Sequence, residues 1–266
     1  MAKRKTVKEI YKMKKQKKKI TMLTAYDYQF AKIMDKAGID VILVGDSLGM
    51  VFQGNSTTIP VTVEQMIYHT KIVVDSTENA FIIADMPFGS YQISVVKGVE
   101  NAVKMMKETG CNAVKIEGGQ RVIPLVKQLI LAGIPVFGHL GLTPQSINKF
   151  GSYRLRARKE GEAYKLINDA VLLEKAGVSG IILEKIPSDL AEEVTKKMKV
   201  PTIGIGAGSE CDGQVLVITD LLGIDEDVNF KFVRKYANLN EIISNSVENY
   251  ISDVKDAKFP SEEESY

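Results

Sequence analysis

Four short apolar runs in this chain each lead into a carboxylate. Residues 41–45 lead to Asp46, 81–84 to Asp85, 113–116 to Glu117 and 180–183 to Glu184. Runs of this length, rich in Val and Ile and bounded by Gly or Pro, read as buried parallel strands. Parallel strands joined by helices point their C-terminal ends at one face, so the four acids converge on one rim. Like charges brought together there repel unless something positive sits among them, and a divalent cation is the economical answer.

Asp46 and Asp85 are the best candidates for direct ligands, because each is followed by a Gly- and Pro-containing loop that lets a substrate approach. Magnesium takes one or two carboxylates and leaves its other positions to water and substrate oxygens. Acids at strand ends also serve as helix caps or Asx-turns. That is the preferred reading of Asp27, which directly precedes a helix, and it stays open for Asp220. Lys115 and Glu117, two apart on one strand, project to the same side. Lys115 can meet a substrate carboxylate or an enolate, or it can simply pair with Glu117, which can also anchor a water on the metal. Glu184, bordered by Leu183 and Ile186, is placed for partial desolvation, which raises proton affinity and suits a general base. A rim salt bridge to Lys185 is the plainer alternative. His139 closes a fifth strand and is a further candidate, whereas His69 reads as packing or capping. Gly204, Gly206 and Gly208 lack the spacing of a dinucleotide turn.

The order of elements that must hold these residues is strand–helix throughout. A strand over 20–25 precedes a helix over 27–36 that stops at Gly38. Thr62 opens a helix after the second strand, and another runs over 94–108 after the third. Strand five spans 135–139, and the stretch 141–161, carrying Arg154, Arg156 and Arg158, has the length of a functional lid. A helix over 161–176 leads to strand six, and 202–206 and 215–219 supply strands seven and eight. Eight strands separated mostly by helices predict an α/β fold, a closed (β/α)8 TIM barrel with an extra N-terminal helix and C-terminal helices. The rival open doubly wound sheet would carry a Gly-rich turn after strand one, where Thr24-Ala25-Tyr26-Asp27 stands instead.

At 266 residues the chain suits one barrel domain over 1–266, with a basic N-terminal helix in 1–19 and a flexible acidic tail at 259–266. Net charge is only +2, yet Lys3, Arg4, Lys5, Lys8, Lys12, Lys14, Lys15, Lys17, Lys18 and Lys19 crowd one end. A nucleic-acid arm is the functional reading of that cluster, but no aromatic or Gly-rich binding motif accompanies it, and a solvated helix face is preferred, since Val7, Ile10, Tyr11 and Lys14 follow helical spacing with apolar residues at its start. No long apolar stretch follows the lysines, which argues against a secretory signal or membrane span. Cys111 and Cys211, outside any CxxC pattern, exclude a disulfide framework or structural zinc, and cytoplasmic residence is the default.

Seven segments then carry a resemblance: MLTAYD (22–27), VGDSLGMV (44–51), PVTVEQMIYHT (60–70), ADMPFGSY (84–91), VKIEGG (114–119), GIPVFGHLGLTPQS (133–146) and TIGIGAGSECDGQVLVITDLLG (202–223). In this order they resemble the ketopantoate hydroxymethyltransferase family. The resemblance implies a (β/α) barrel and Mg2+ held by Asp46 and Asp85, with Glu117 close by. It implies a keto acid held by Asp46, Ser47, Asp85 and Lys115, and Glu184 as proton acceptor, with His139 and Tyr26 as additional active-site candidates. The implied reaction moves a one-carbon unit from 5,10-methylenetetrahydrofolate to 3-methyl-2-oxobutanoate through a magnesium-stabilised enolate. Its product is 2-dehydropantoate, on the route to pantothenate and coenzyme A. A homo-oligomer, usually a decamer, acting on small molecules with no nucleic-acid or membrane partner, is implied as well. Barrels of the isocitrate lyase and phosphoenolpyruvate mutase kind are the nearest enzymatic rivals, but the Lys-Cys-Gly-His type loop of the lyases is missing. After Phe150 the chain reads Gly151-Ser152-Tyr153-Arg154-Leu155-Arg156-Ala157-Arg158 where the family tends to a Gly-Tyr segment and a Val-Gln-Gly-type run.

Overall fold

The structure, a computed structural model, describes residues 4–266. The first three residues of the basic segment, Lys3 among them, lie outside the described residues. By backbone packing the chain divides into two compact units, Met1–Val217 and Ile218–Tyr266.

The first unit is the barrel. Its strands are β1 (Ile20–Thr24), β2 (Val41–Val44), β3 (Phe81–Asp85), β4 (Ala113–Glu117), β5 (Val136–Gly141), β6 (Gly180–Glu184), β7 (Thr202–Ile205) and β8 (Gly213–Leu216). Each pairs in parallel with the next, and β8 returns to β1, so the sheet closes. The helices of this unit begin with α1 (Val7–Lys15), α2 (Tyr28–Ala37), α3 (Leu48–Val51) and α4 (Val63–Asp75). They continue with α5 (Val95–Thr109), α6 (Ile123–Leu131), α7 (Ile147–Phe150), α8 (Glu160–Ala176) and α9 (Ser188–Lys197). The anticipated (β/α)8 barrel is the observed fold. Every residue of β2, β3 and β4 is buried, as strands covered on both faces require.

Local sequence explains the helix starts. Asp27 accepts from the Phe30 amide, Ser94 from Lys97, and Thr62 forms a reciprocal cap with Gln65. Asp27 is therefore a cap, as preferred. Inside the barrel, Phe81 and Phe137 meet at 6.0 Å between ring centroids. Gly180 is required beside them, since a Cβ there would lie 2.4 Å from the Phe137 ring.

Two readings change. The basic helix α1 is more than a solvated face: Ile10, 1% exposed, joins the barrel-core cluster, with Val7 and Met13 packed against it. Its cations grip backbone and acids nearby, Lys14 reaching Asp212 at 2.6 Å and Lys5 reaching Asp40 at 3.6 Å. α1 thus stoppers the end of the barrel away from the acids. Strand eight starts at Gly213, two residues before the apolar run read as its beginning. The backbones of β8 and β1 approach so closely that a Cβ on Gly213 would stand 2.4 Å from the Ile20 carbonyl oxygen, so a glycine that looks like a turn residue is a strand residue.

The second unit contains α10 (Ile218–Leu222) and α11 (Leu239–Lys255), and α11 buries none of its residues. Within 259–266, Glu262–Glu264 make one 3-10 turn capped by Ser261. Among the described residues no helix is long and apolar enough to cross a membrane.

Candidate active site

The pairing register brings the anticipated residues to one rim. Asp85 lies opposite Lys115 across β3–β4, Glu117 opposite His139 across β4–β5, and Gly141 opposite Glu184 across β5–β6. Asp46 sits in the turn after β2, where its backbone N–H donates to Asp85 Oδ2 at 2.9 Å. Asp46, Asp85, Lys115, Glu117 and His139 are all buried. Glu184 is the most open of the set, its side chain 17% exposed.

Lys115 Nζ stands 3.2 Å from Asp85 Oδ1, 3.8 Å from Glu117 Oε1 and 3.2 Å from His139 Nδ1. It therefore bridges two acids rather than serving Glu117 alone. Burial pushes its pKa down, but Asp85, Glu117 and Asp46 outweigh burial and leave it raised, so the ammonium is permanent. His139 lies between two carboxylates, Nδ1 3.5 Å from Glu117 Oε1 and Nε2 3.2 Å from Glu184 Oε2. Burial and Lys115 oppose its charge, yet the two carboxylates prevail and carry its pKa up to about 9. Glu184 thus faces His139; the Lys185 side chain is turned instead to the Tyr153 carbonyl, at 2.9 Å.

The acids divide electrostatically. Burial pushes Asp46 well above the usual carboxylate range, and the charges of Asp85 and Glu117 push it further. Asp85 is raised too, chiefly by burial, against the pull of Lys115. Glu117 is held low despite burial, because His139, Lys115 and the Gln145 amide all favour its anion. Asp46 and Asp85 are both held toward the neutral acid by burial and by an excess of neighbouring acidic groups, which only added positive charge would offset.

That excess bears on whether a cation fits. Asp85 Oδ1 and Glu117 Oε1 are buried and make no hydrogen bond, though both face Lys115. Among the described residues no group of three or more His, Cys, Asp and Glu side chains is gathered as a metal cage. A hard cation on two carboxylates, completed by water and substrate oxygens, fits the Asp46–Asp85 pair. Glu117 has its Oε2 on the Gln145 amide at 3.0 Å and its Oε1 toward Lys115 and His139, which places it behind that pair.

Tyr26 and Ser47 join the site through one hydrogen bond of 2.8 Å between their hydroxyls. His69 has the structural role expected of it, its Nδ1 2.7 Å from the Tyr26 carbonyl oxygen. Three residues were missed as participants. Gln145, beyond β5, donates from Nε2 to Asp46 Oδ2 at 2.8 Å and to the Met86 carbonyl at 2.9 Å, while its Oε1 accepts from Tyr91 at 2.7 Å. Tyr91 in turn accepts from the Glu117 amide at 3.1 Å. Tyr153, in the stretch after α7, has its hydroxyl 3.8 Å from Met50 Sδ, and burial with the charges of Glu184, Asp46 and Glu117 raises its phenol pKa. Only the position of these residues just after strand ends hinted at such roles. Neither cysteine takes part: both thiols are free and buried.

The model of the family described as ketopantoate hydroxymethyltransferase matches residues 4–262. A 3-methyl-2-oxobutanoate hydroxymethyltransferase of Chlorobium phaeobacteroides (strain DSM 266) is 55% identical over 265 residues, 98% of this chain and 96% of that protein. One from Bacteroides fragilis is 52% identical over 261 residues with the same coverage, 98% and 96%. Among solved structures, phosphonopyruvate hydrolase with oxalate and Mg++ gives a TM-score of 0.61 at 12% identity, covering 98% of this chain and 93% of that one. Oxaloacetate acetylhydrolase with oxalate gives 0.62 at 8%, covering 96% and 88%. At such identities the structural likeness is one of fold. The sequence matches go further, and the chain belongs to the ketopantoate hydroxymethyltransferase family.

Proposed function

We propose that this chain transfers a hydroxymethyl group from 5,10-methylenetetrahydrofolate to 3-methyl-2-oxobutanoate, giving 2-dehydropantoate for pantothenate and coenzyme A synthesis. The observation that carries this is the buried Asp46–Asp85 pair, joined at 2.9 Å beside a permanent lysine, with the more open Glu184 across His139. Family membership supplies the substrates. Asp46 and Asp85 would hold Mg2+, which when bound supplies Lewis acidity at the keto oxygen and a template for the 2-keto acid.

The chain's own residues do the rest. Lys115 offsets the substrate carboxylate, and Asp85 and Ser47 help seat the keto acid. Glu184 takes the single C3 proton, and water opens the methylene bridge to formaldehyde as the two water protons go to the folate nitrogens. The enolate carbon adds to the formaldehyde carbon while the new alkoxide takes the proton back from Glu184. Water supplies the oxygen of the new hydroxyl, so tetrahydrofolate and 2-dehydropantoate are the products. Charge developing on the enolate oxygen is the largest demand, and a preorganised cationic environment is the expected answer. Glu117 orients His139 and Lys115 from behind and anchors water near the cation. His139 and Tyr26 position Glu184 and Ser47.

Self-association belongs to the same reading, as a homodecamer resident in the cytoplasm. It is supported by α11, whose Ile242, Val247, Tyr250 and Val254 are all exposed.

The test is exchange of the C3 proton of 3-methyl-2-oxobutanoate with solvent deuterium, which needs no folate. The intact chain exchanges with Mg2+ and stops when the ion is chelated, and Glu184→Gln slows exchange by about two to four orders of magnitude. Exchange indifferent to chelation and to Glu184→Gln would overturn the proposal.

A further inference from the structure

A cavity of about 830 Å³ lies against the outer side of the β4 and β5 ends. Its wall includes the residues that directly follow two site residues, Gly118 and Gly119 after Glu117, and Leu140 and Gly141 after His139. The stretch between α7 and α8 forms another wall through Arg156 and Ala157. That stretch is tied to the site, because the Arg156 amide donates to the Lys185 carbonyl at 2.8 Å, one residue past Glu184. Tyr153 on the same stretch accepts at its carbonyl from Lys185 Nζ at 2.9 Å and directs its hydroxyl to Met50 Sδ at 3.8 Å.

The lining is amphiphilic. Leu140, Leu166 and Ala157 give a buried apolar floor. The Phe150 ring adds a flat face, backed by the Arg156 guanidinium 4.1 Å from its centroid. Four cations, Arg121, Lys149, Arg156 and Lys165, meet only two acids, Glu162 and Asp169. Both acids are taken: Glu162 by Arg156 at 2.7 Å and Asp169 by Lys165. Arg121 reaches only the Ser146 hydroxyl, at 3.5 Å, and neither Arg121 nor Lys149 has a carboxylate partner among the described residues. A cavity of this size with an apolar floor and two unmatched cations suits a flat molecule with an anionic tail.

We propose that this cavity receives the benzoyl-glutamyl part of the folate donor, with Arg121 and Lys149 meeting its glutamyl carboxylates. The inference rests on the reading of 5,10-methylenetetrahydrofolate as cosubstrate. It places the charged tail beside the stretch that is hydrogen-bonded to the residue after Glu184.

The experiment compares Arg121→Ala, Lys149→Ala and the double variant with the intact protein. It measures KM for the mono- and triglutamyl forms of 5,10-methylenetetrahydrofolate, KM for the keto acid, and folate-free C3 exchange. Both side chains are exposed, so the fold tolerates the changes. The double variant should raise the folate KM by roughly tenfold, more for the triglutamyl form, with exchange and keto-acid KM unchanged. Lys149→Arg should keep wild-type affinity. An unchanged folate KM would overturn the assignment, and so would an equal loss in folate-free exchange, which would move both cations to the keto-acid site. An intact protein that neither exchanges C3 nor binds tetrahydrofolate would instead remove the functional reading underneath.

Discussion

Glu184 and His139 lie on neighbouring strands with Oε2 and Nε2 3.2 Å apart, and Glu117 stands at the other ring nitrogen. The two carboxylates carry the imidazole's pKa from 6.5 up to about 9, against burial and against the Lys115 ammonium 3.2 Å from Nδ1. A folded-state pKa above the unfolded one contributes stability that is complete below pH 6.5 and lost as pH rises through 9. The contribution at neutral pH is on the order of 2–3 kcal/mol. Denaturant titrations should therefore show the intact protein well ahead of His139→Gln at pH 7, with the gap closing by pH 10. A gap independent of pH would mean the ring is neutral in the folded protein.

Lys115 holds the buried acids together from within. Deleting it by Lys115→Met leaves Asp46, Asp85 and Glu117 without their permanent cation, and breaking a buried pair from one side costs about 3–5 kcal/mol. The double change Lys115→Met with Asp85→Asn removes one charge of each sign and should recover a good part of that loss. Urea midpoints of the two variants test this. Equal destabilisation of both would show that Lys115 acts through packing of its stem.

Gln145 is the residue whose importance the sequence concealed. Its side chain donates to Asp46 and to the Met86 carbonyl and accepts from Tyr91, while its amide donates to Glu117, so one residue fixes both acids. Groups one step behind a metal ligand, the place Gln145 takes if Asp46 holds Mg2+ as proposed, typically contribute 10–100-fold in affinity. Gln145→Ala should raise the Mg2+ needed for half-maximal C3 exchange by a factor in that range. Asp46→Ala and Asp85→Ala should raise it further. An unshifted magnesium dependence in Gln145→Ala would show that Asp46 is oriented without it.

The difference between Asp46 and Gln145 explains what was legible. Buried parallel strands write themselves as Val- and Ile-rich runs, so β2, β3, β4 and β6 and the acids at their ends could be read directly. Pairing register then dictated that Asp85, Lys115, Glu117 and His139 be neighbours. Gln145, Tyr91 and Tyr153 reach the same place from loops, and loop paths follow from tertiary hydrogen bonds that leave no periodic trace. Gly213 misled for a related reason: alone it looks like a turn, and only the pressing approach of Ile20 across the sheet reveals why a side chain is excluded. The helical spacing of Val7, Ile10 and Tyr11 was legible as well, but with so many lysines around it that face read as solvated, and only the barrel end it covers shows why Ile10 is buried.

A carboxylate away from the site offers the control. Asp35 on α2 accepts from the amides of Glu78, Asn79 and Ala80, the last at 2.7 Å, and so fastens the approach to β3. Burial alone would raise its pKa, but these amides outweigh burial and hold it below 3.8. A depressed pKa contributes stability present above the unfolded value and lost as pH falls through the folded one. Asp35→Ala strands four donors, the three backbone amides and the Asn79 side-chain amide, and should cost about 2–4 kcal/mol at pH 7. The gap between variant and intact protein should narrow below pH 4. Specific C3-exchange activity of the folded fraction should be unchanged, since Asp35 touches no group of the site. Loss of exchange in a fully folded Asp35→Ala protein would mean that the fold and the chemistry are coupled through β3.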